Sequence, residues 1–254
     1  MSSDKKIRIT GIEAPLYSHD EALTAIGGNF VKIMEEKRPN FLILPEKWIM
    51  EKYKEGSTDL SKILESFQNM SKEFGTTIIP GSFSVLRKSS LYNTSPVISV
   101  GRILGWSDKI SLYRIEKNEY SPGREISVFE ADGIKFGVVV CYDLDFPYHA
   151  KIAIRKGARI LFNPSLIIKQ FHEMWHIYVR GRSLENRIPV ISVNSSSEPL
   201  GGNSLGTSFV QLERGVILES HMAKQSVLSY ELDMSGIDDM IESRMNEDPG
   251  KYSF

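Results

Sequence analysis

Two short runs, Phe41-Leu-Ile-Leu44 and Ile134 to Val140, are apolar almost throughout, and each stops at residues with chemistry to offer: Pro45-Glu46 after the first, Cys141-Tyr-Asp143 after the second. A strand of this composition is buried on both faces, so the chain must supply cover on either side of a sheet. Amphipathic stretches alternate with these runs. Asp20 to Glu36 repeats Leu23, Ile26, Phe30, Ile33 and Met34 at helical spacing, and Ser61 to Phe74 repeats Ile63, Leu64, Phe67 and Met70. Ile7 to Ile12, Thr76 to Pro80, Arg159 to Phe162 and Pro189 to Val193 read as further strands. Tyr148 to Lys156 and His172 to Asn186 read as helices.

Ser82 to Leu104 reads as short extended pieces without a crossover helix, and Phe209 to Leu212 pairs with Val216 to Leu218 around the turn Arg214-Gly215. Ser226 to Leu232 predicts a last strand before a polar, peripheral tail. No long linker, internal repeat or low-complexity segment divides the 254 residues. The expectation is one mixed α/β domain over residues 1–254 with more than one layer of sheet.

Composition narrows the function. At 41% hydrophobic and 25% charged the chain is globular, and a formal charge of -1 creates no broad field toward nucleic acid or an anionic membrane. Lys5, Lys6 and Arg8 are not interleaved with aromatics as an RNA platform would require. No apolar run reaches the roughly 18 residues of a membrane span. Met1 to Ile7 lacks the apolar block of a signal peptide, so a cytoplasmic location is expected. The single cysteine, Cys141, excludes an intramolecular disulfide and a multi-thiolate zinc site within one chain.

Glu46, Lys109 and Cys141 invite comparison because ligands of α/β sheets gather beyond strand ends, where residues distant in sequence meet. A thiol beside an ammonium and a carboxylate has the makings of a nucleophile. Taken singly, each residue has a plainer role: Cys141 as a buried core residue, Glu46 as a helix-start carboxylate, Lys109 as a solvated lysine. The combination shifts the balance toward chemistry.

The ordered motifs Leu44-Pro45-Glu46, Ser107-Asp-Lys109-Ile-Ser-Leu112 and Cys141-Tyr-Asp-Leu-Asp-Phe-Pro147 resemble those of the nitrilase, or carbon-nitrogen hydrolase, superfamily. Glu116 ahead of Tyr120-Ser-Pro-Gly123, Gly157-Ala158, Asn163-Pro-Ser165 and Arg180 to Asn186 followed by Pro189-Val190 and Asn194 extend the likeness over nearly the whole chain. The resemblance implies a four-layer αββα sandwich, a homodimer joined through one helical face, and a Glu-Lys-Cys triad. Carried over, Cys141 attacks the carbon of a small amide, Glu46 accepts its proton, and Lys109 faces the developing negative charge. A thioester and then a carboxylic acid follow, with ammonia or an amine released. No cofactor or metal is implied. The Tyr142 N–H is the natural second oxyanion donor, and Glu116 matches the family's additional glutamate. A nitrile, an N-carbamoyl amine, or a non-enzymatic member using the same fold for protein interaction are the alternatives.

This chain departs from the family at Gly11-Ile-Glu-Ala-Pro15, where a glutamine is usual, at Tyr148 in place of glutamate, at Arg180-Gly-Arg-Ser183 and at Gly202-Asn-Ser204. These changes bear on the substrate rather than the reaction. Tyr142, Asn163, Ser165, Trp48, Phe171 and Trp175 follow strand-end or loop signals and are the expected pocket lining. His172 and His176 lack the His-Glu-x-x-His order of a zinc hydrolase and read as a polar helix surface or pocket rim. Arg180, Arg182 and Arg187 offer charge for a substrate carboxylate but read first as helix ion-pair partners of Glu185, and Gly201 to Gly206 reads as a lid or tight turn without phosphate-binding character.

Overall fold

The computed structural model describes residues 6–213 and 215–247. Lys5, Arg214 and the end of the tail lie outside these residues.

The strands form two sheets. The first runs in the order β14 (Val227–Asp233), β1 (Lys6–Ile12), β2 (Phe41–Ile43), β4 (Thr77–Ile79), β6 (Ser90–Ser99), β5 (Phe83–Arg87), β3 (Lys52–Lys54), with β7 (Arg102–Asp108) also on β6. The second runs β13 (Gly215–Met222), β12 (Leu205–Leu212), β11 (Val190–Val193), β10 (Ile160–Pro164), β9 (Ile134–Val138), β8 (Ser127–Ala131). At the centre of each sheet the strands are parallel: β1 with β2 and β2 with β4, then β9 with β10 and β10 with β11. Their C-terminal ends carry the candidate residues.

Alternation along the central strands assigns the layers. Ile7, Ile9, Phe41 and Ile43 of the first sheet pack against Phe136, Val138, Ile160, Phe162, Ile191 and Val193 of the second, which joins the sheets face to face. Leu42 and Ile78 point the other way, into a core shared with α1 (His19–Ala25), α2 (Val31–Lys37) and α3 (Thr58–Phe74) through Phe30, Met34, Ile63 and Phe67. Leu161 and Val190 turn outward from the second sheet onto α4 (Pro147–Arg155), α5 (His172–Asn186) and α6 (Ile237–Glu247). The layer order is α, β, β, α, as the motifs imply.

Two elements differ from the sequence reading. The helix expected over Asp20 to Glu36 is broken by a π-turn at Ile26–Phe30. Gly27 and Gly28 fall in that turn and weaken the local helix, while the extra residue keeps Ile26 and Phe30 on the core side. The tail read as peripheral contains α6, whose Ile237 and Ile241 are buried against the outer face of the second sheet. One apolar residue per turn suffices to dock it, although its polar composition masks the pattern.

Gly81 shows how closely the loops near the site approach. Its φ of +79° lies in the left-handed region, and a Cβ there would stand 1.9 Å from the Pro45 carbonyl oxygen. The same loop pair is tied by Ser82 N–H to Pro45 O at 3.2 Å and Lys47 N–H to Ser82 O at 2.9 Å. Gly81→Ala is expected to lower stability by about 3 kcal/mol through strain and displacement of the Pro45-Glu46 segment. Urea unfolding reads this; an unchanged midpoint would contradict it.

Candidate active site

Glu46 lies three residues beyond β2, Lys109 follows β7 directly, and Cys141 begins a 3-10 turn just past β9. Strands of different sheets therefore deliver the three side chains to one place. The Lys109 Nζ donates to Glu46 Oε1 and to Glu116 Oε2, each at 2.8 Å, and both carboxylates are nearly inaccessible to solvent. The Cys141 thiol is within hydrogen-bonding reach of the Glu46 carboxylate and of the Leu166 N–H.

Burial pushes the Cys141 thiol well above its ordinary pKa, the negative charge of Glu46 adds to the effect, and Lys109 opposes it without cancelling it. At neutral pH the resting sulfur is a thiol beside a carboxylate, rather than a free thiolate. Burial works against the Lys109 charge, but Glu46, Cys141 and Glu116 together outweigh it and raise the lysine pKa. Burial likewise disfavours the Glu116 carboxylate, yet Lys109, Lys47 and the Tyr113 N–H bring its pKa down to about 2. The lysine is held cationic and Glu116 anionic.

Several residues that sequence reasoning passed over complete the frame. Asn93 on β6 donates from Nδ2 to Glu46 Oε1 at 2.6 Å and faces Glu116 Oε1 at 3.4 Å. Lys47 donates to Glu116 Oε1 at 2.9 Å. Asp143 joins the two halves of the site: its carboxylate accepts Val140 N–H at 3.1 Å, beside the cysteine, and Ile110 N–H at 3.1 Å and Ser111 N–H at 2.6 Å, just after the lysine. The motif around Cys141 contained Asp143 in plain view, but only its long-range partners define what it does.

Asp143→Ala is expected to cost about 3 kcal/mol, because one buried and two part-buried N–H groups lose their acceptor and this outweighs relief from burying one charge. Turnover should fall by about 10²-fold as Lys109 and Cys141 drift apart. Urea unfolding and steady-state kinetics check the two parts; wild-type values in both would refute the tie.

Cys141 itself has φ 45°, an unfavourable backbone state for a residue with a Cβ, and the surrounding contacts hold it there. Asn163 Nδ2 donates to the carbonyls of Val139 and Cys141 at 2.7 and 3.3 Å. The Arg182 guanidinium donates to the carbonyls of Leu144 and Asp145 at 2.9 and 2.6 Å. Its contacts with Glu185 are longer, at 3.4 Å, so Arg182 chiefly clasps the cysteine turn rather than pairing along its helix.

Four of the expected pocket residues are buried, with their polar groups engaged within the protein. Trp48 sits in the core beneath α1 to α3, against Phe30 and Phe67, with its indole N–H donated to the Pro80 carbonyl at 2.7 Å. Trp175 belongs to the core under α5 and donates to Ser192 Oγ at 3.0 Å. Asn163 spends both amide hydrogens on carbonyls and its Oδ1 on Ser165 and Ser192 hydroxyls, at 2.7 and 2.9 Å, leaving nothing for a ligand. Ser165 is wholly buried in that network, and its carbonyl accepts the Glu46 N–H at 3.2 Å. These four support the site from beneath. Tyr142 is partly exposed, its ring edge-on to Tyr113 and Phe146 at 5.1 and 5.2 Å, and Phe171 is partly exposed at the end of a short 3-10 turn.

Among the described residues no group of three or more His, Cys, Asp or Glu side chains could hold a metal ion. His172 and His176 instead engage the glycine-rich turn: His172 Nδ1 lies 3.1 Å from Asn203 Nδ2, and His176 Nε2 lies 2.8 Å from the Asn203 carbonyl. No described helix is long and apolar enough to cross a membrane.

The sequence pattern of the carbon-nitrogen hydrolase family matches residues 13–242. The chain belongs to that family. This carbon-nitrogen hydrolase is 26% identical over 217 residues to the 2-oxoglutaramate amidase of Bacillus subtilis, spanning 82% of this chain and 84% of that protein. It is 28% identical over 182 residues to an omega-amidase of Xenopus tropicalis, spanning 67% and 66% of the two chains. Its fold matches Saccharomyces cerevisiae Nit3, a member of branch 10 of the nitrilase superfamily, with a TM-score of 0.78 at 21% identity over 99% of this chain and 97% of the other. It is an amidase-like hydrolase of C-N bonds.

Proposed function

We propose that this hydrolase cleaves a small non-peptide amide by the Glu46-Lys109-Cys141 triad. The observation that carries the reading is the buried carboxylate of Glu46, which accepts the Lys109 ammonium at 2.8 Å and whose charge bears on the Cys141 thiol. As Sγ attacks the carbonyl carbon, its proton passes to Glu46, so a thiolate need not exist beforehand. Negative charge gathers on the carbonyl oxygen, where the Lys109 ammonium and the Tyr142 N–H donate to it. The C-N bond then breaks, and the proton held by Glu46 leaves with the nitrogen as ammonia or an amine. Glu46 next takes a proton from water, the resulting hydroxide attacks the thioester, and the acid departs with restoration of the thiol.

Glu116 holds the Lys109 Nζ alongside Glu46, each at 2.8 Å. An ammonium held by two carboxylates is pre-aimed, and the barrier contains little cost for reorienting it. Relatives named for 2-oxoglutaramate and omega-amides support a short amide that also carries a carboxylate. The whole chain acts as one catalytic domain. Exposed apolar residues on α4 and α5, among them Tyr148, Ile152, Ile177 and Leu184, support a homodimer. A lone free cysteine supports a reducing, cytoplasmic setting.

The test is a panel of carboxylate-bearing ω-amides, uncharged amides, nitriles and N-carbamoyl amines, with ammonia and acid measured together. Ammonia and acid in equal amounts from an ω-amide are expected. Turnover confined to nitriles or carbamoyl compounds would replace the amide reading.

A further inference from the structure

Four charged groups form one chain of ion pairs that reaches the thiol through Glu46 and Lys109: the carboxylates of Glu46 and Glu116 and the ammonium groups of Lys109 and Lys47. Lys109 lies between the carboxylates and its side chain is 2% exposed, whereas the Lys47 side chain is 22% exposed and is the most open of the four. Lys47 bonds only the Oε1 of Glu116, on the oxygen that Lys109 does not take, and its Nζ stands 5.2 Å from the Tyr120 ring centre. Its backbone is held at φ 43° by N–H bonds to the Ser82 carbonyl and hydroxyl at 2.9 and 3.2 Å. The side chain is therefore directed by the loop that also carries Glu46.

The charge count decides what this arrangement does. With Cys141 as a thiol, two carboxylates and two ammonium groups sum to zero. Without Lys47 the same cluster carries one uncompensated negative charge in a poorly solvated site, where a carboxylate on the substrate would be repelled. An uncharged substrate would be nearly indifferent. We infer that Lys47 is a specificity-determining positioning residue, which neutralises Glu116 on its outer side and so admits an amide that bears a carboxylate to Cys141. This rests on the reading of Cys141 as the nucleophile and names the substrate class of that same site.

Alkylation of the single cysteine tests Lys47 without presuming a substrate. Iodoacetate and iodoacetamide each form a C-S bond with loss of iodide and of the thiol proton, and they differ in charge while remaining similar in size. Intact-protein mass gives both rates. In Lys47→Met the ratio of the iodoacetate rate to the iodoacetamide rate should fall about tenfold below wild type. Lys47→Arg, which keeps the charge, should restore most of it. Loosening of the loop alone would slow both reagents alike and leave the ratio in place. An unchanged ratio in Lys47→Met, or an arginine variant that behaves like the methionine one, overturns the inference while leaving the nucleophile reading intact. A wild type that neither reagent labels overturns both. As a second readout, the kcat/KM for an ω-amide with a free carboxylate, divided by that for its methyl ester, should fall in Lys47→Met in the same direction.

Discussion

Cys141→Ala is expected to lower amide hydrolysis by about 10⁴-fold or more while the protein remains folded. The neighbours that hold the cysteine turn bind its backbone: Asn163 reaches the Cys141 carbonyl, and Asp143 the Val140 N–H. Alanine keeps those contacts and loses only Sγ. A residue this buried leaves a small void on truncation, worth about 1 kcal/mol, which urea unfolding should register as a modest shift. Chemistry, by contrast, loses its only thiol. With a slowly hydrolysed amide, intact-protein mass should show the acyl adduct on wild type and none on the variant. Ammonia release that persists in Cys141→Ala would overturn the thioester route.

Glu46→Gln should separate thiol reactivity from turnover. Glutamine preserves an oxygen to accept from Lys109 and Asn93, so the frame stays in place, but it cannot take a proton. Hydrolysis should fall by about 10³-fold, in the range of a lost general base. The thiol should move the opposite way. Burial is the largest cause of the raised Cys141 pKa and remains, while the next, the Glu46 charge, disappears and Lys109 is left to favour the thiolate. The midpoint for iodoacetamide labelling should thus shift to lower pH than in wild type. A midpoint that stays or rises would show that Glu46 does not hold the thiol proton.

The central strands were readable because their burial is written in their own composition. Phe41 to Ile43 and Ile134 to Val138 emerge where the apolar runs predict strands, and both end beside the residues with chemistry. Amphipathic spacing also exposed α3 and α5. The interrupted helix at Gly27-Gly28 and the docked α6 were missed, since a π-turn and a marginal apolar stripe leave faint local traces.

The candidate site was suggested by three ordered motifs, which a chain of this kind presents in sequence as separate strand ends. Its fine structure was not. Trp48 and Trp175 look alike in sequence to pocket aromatics, because neither a position past a strand end, for Trp48, nor one on a helix, for Trp175, states which layer the ring enters. Lys47 meets Glu116 across 69 residues, Asn93 meets Glu46 across 47, and Asp143 meets Ile110 across 33.

Hydrophobic burial follows a short period that each segment carries by itself, so the sequence alone determined the strands and the larger helices, while the likeness of three ordered motifs to a family pointed to the candidate residues. Charge balance and proton position depend on distances of a few ångströms between groups far apart in the chain. Only the tertiary structure decided which carboxylate holds the thiol, which lysine serves each glutamate, and which polar side chains spend themselves on holding the turn.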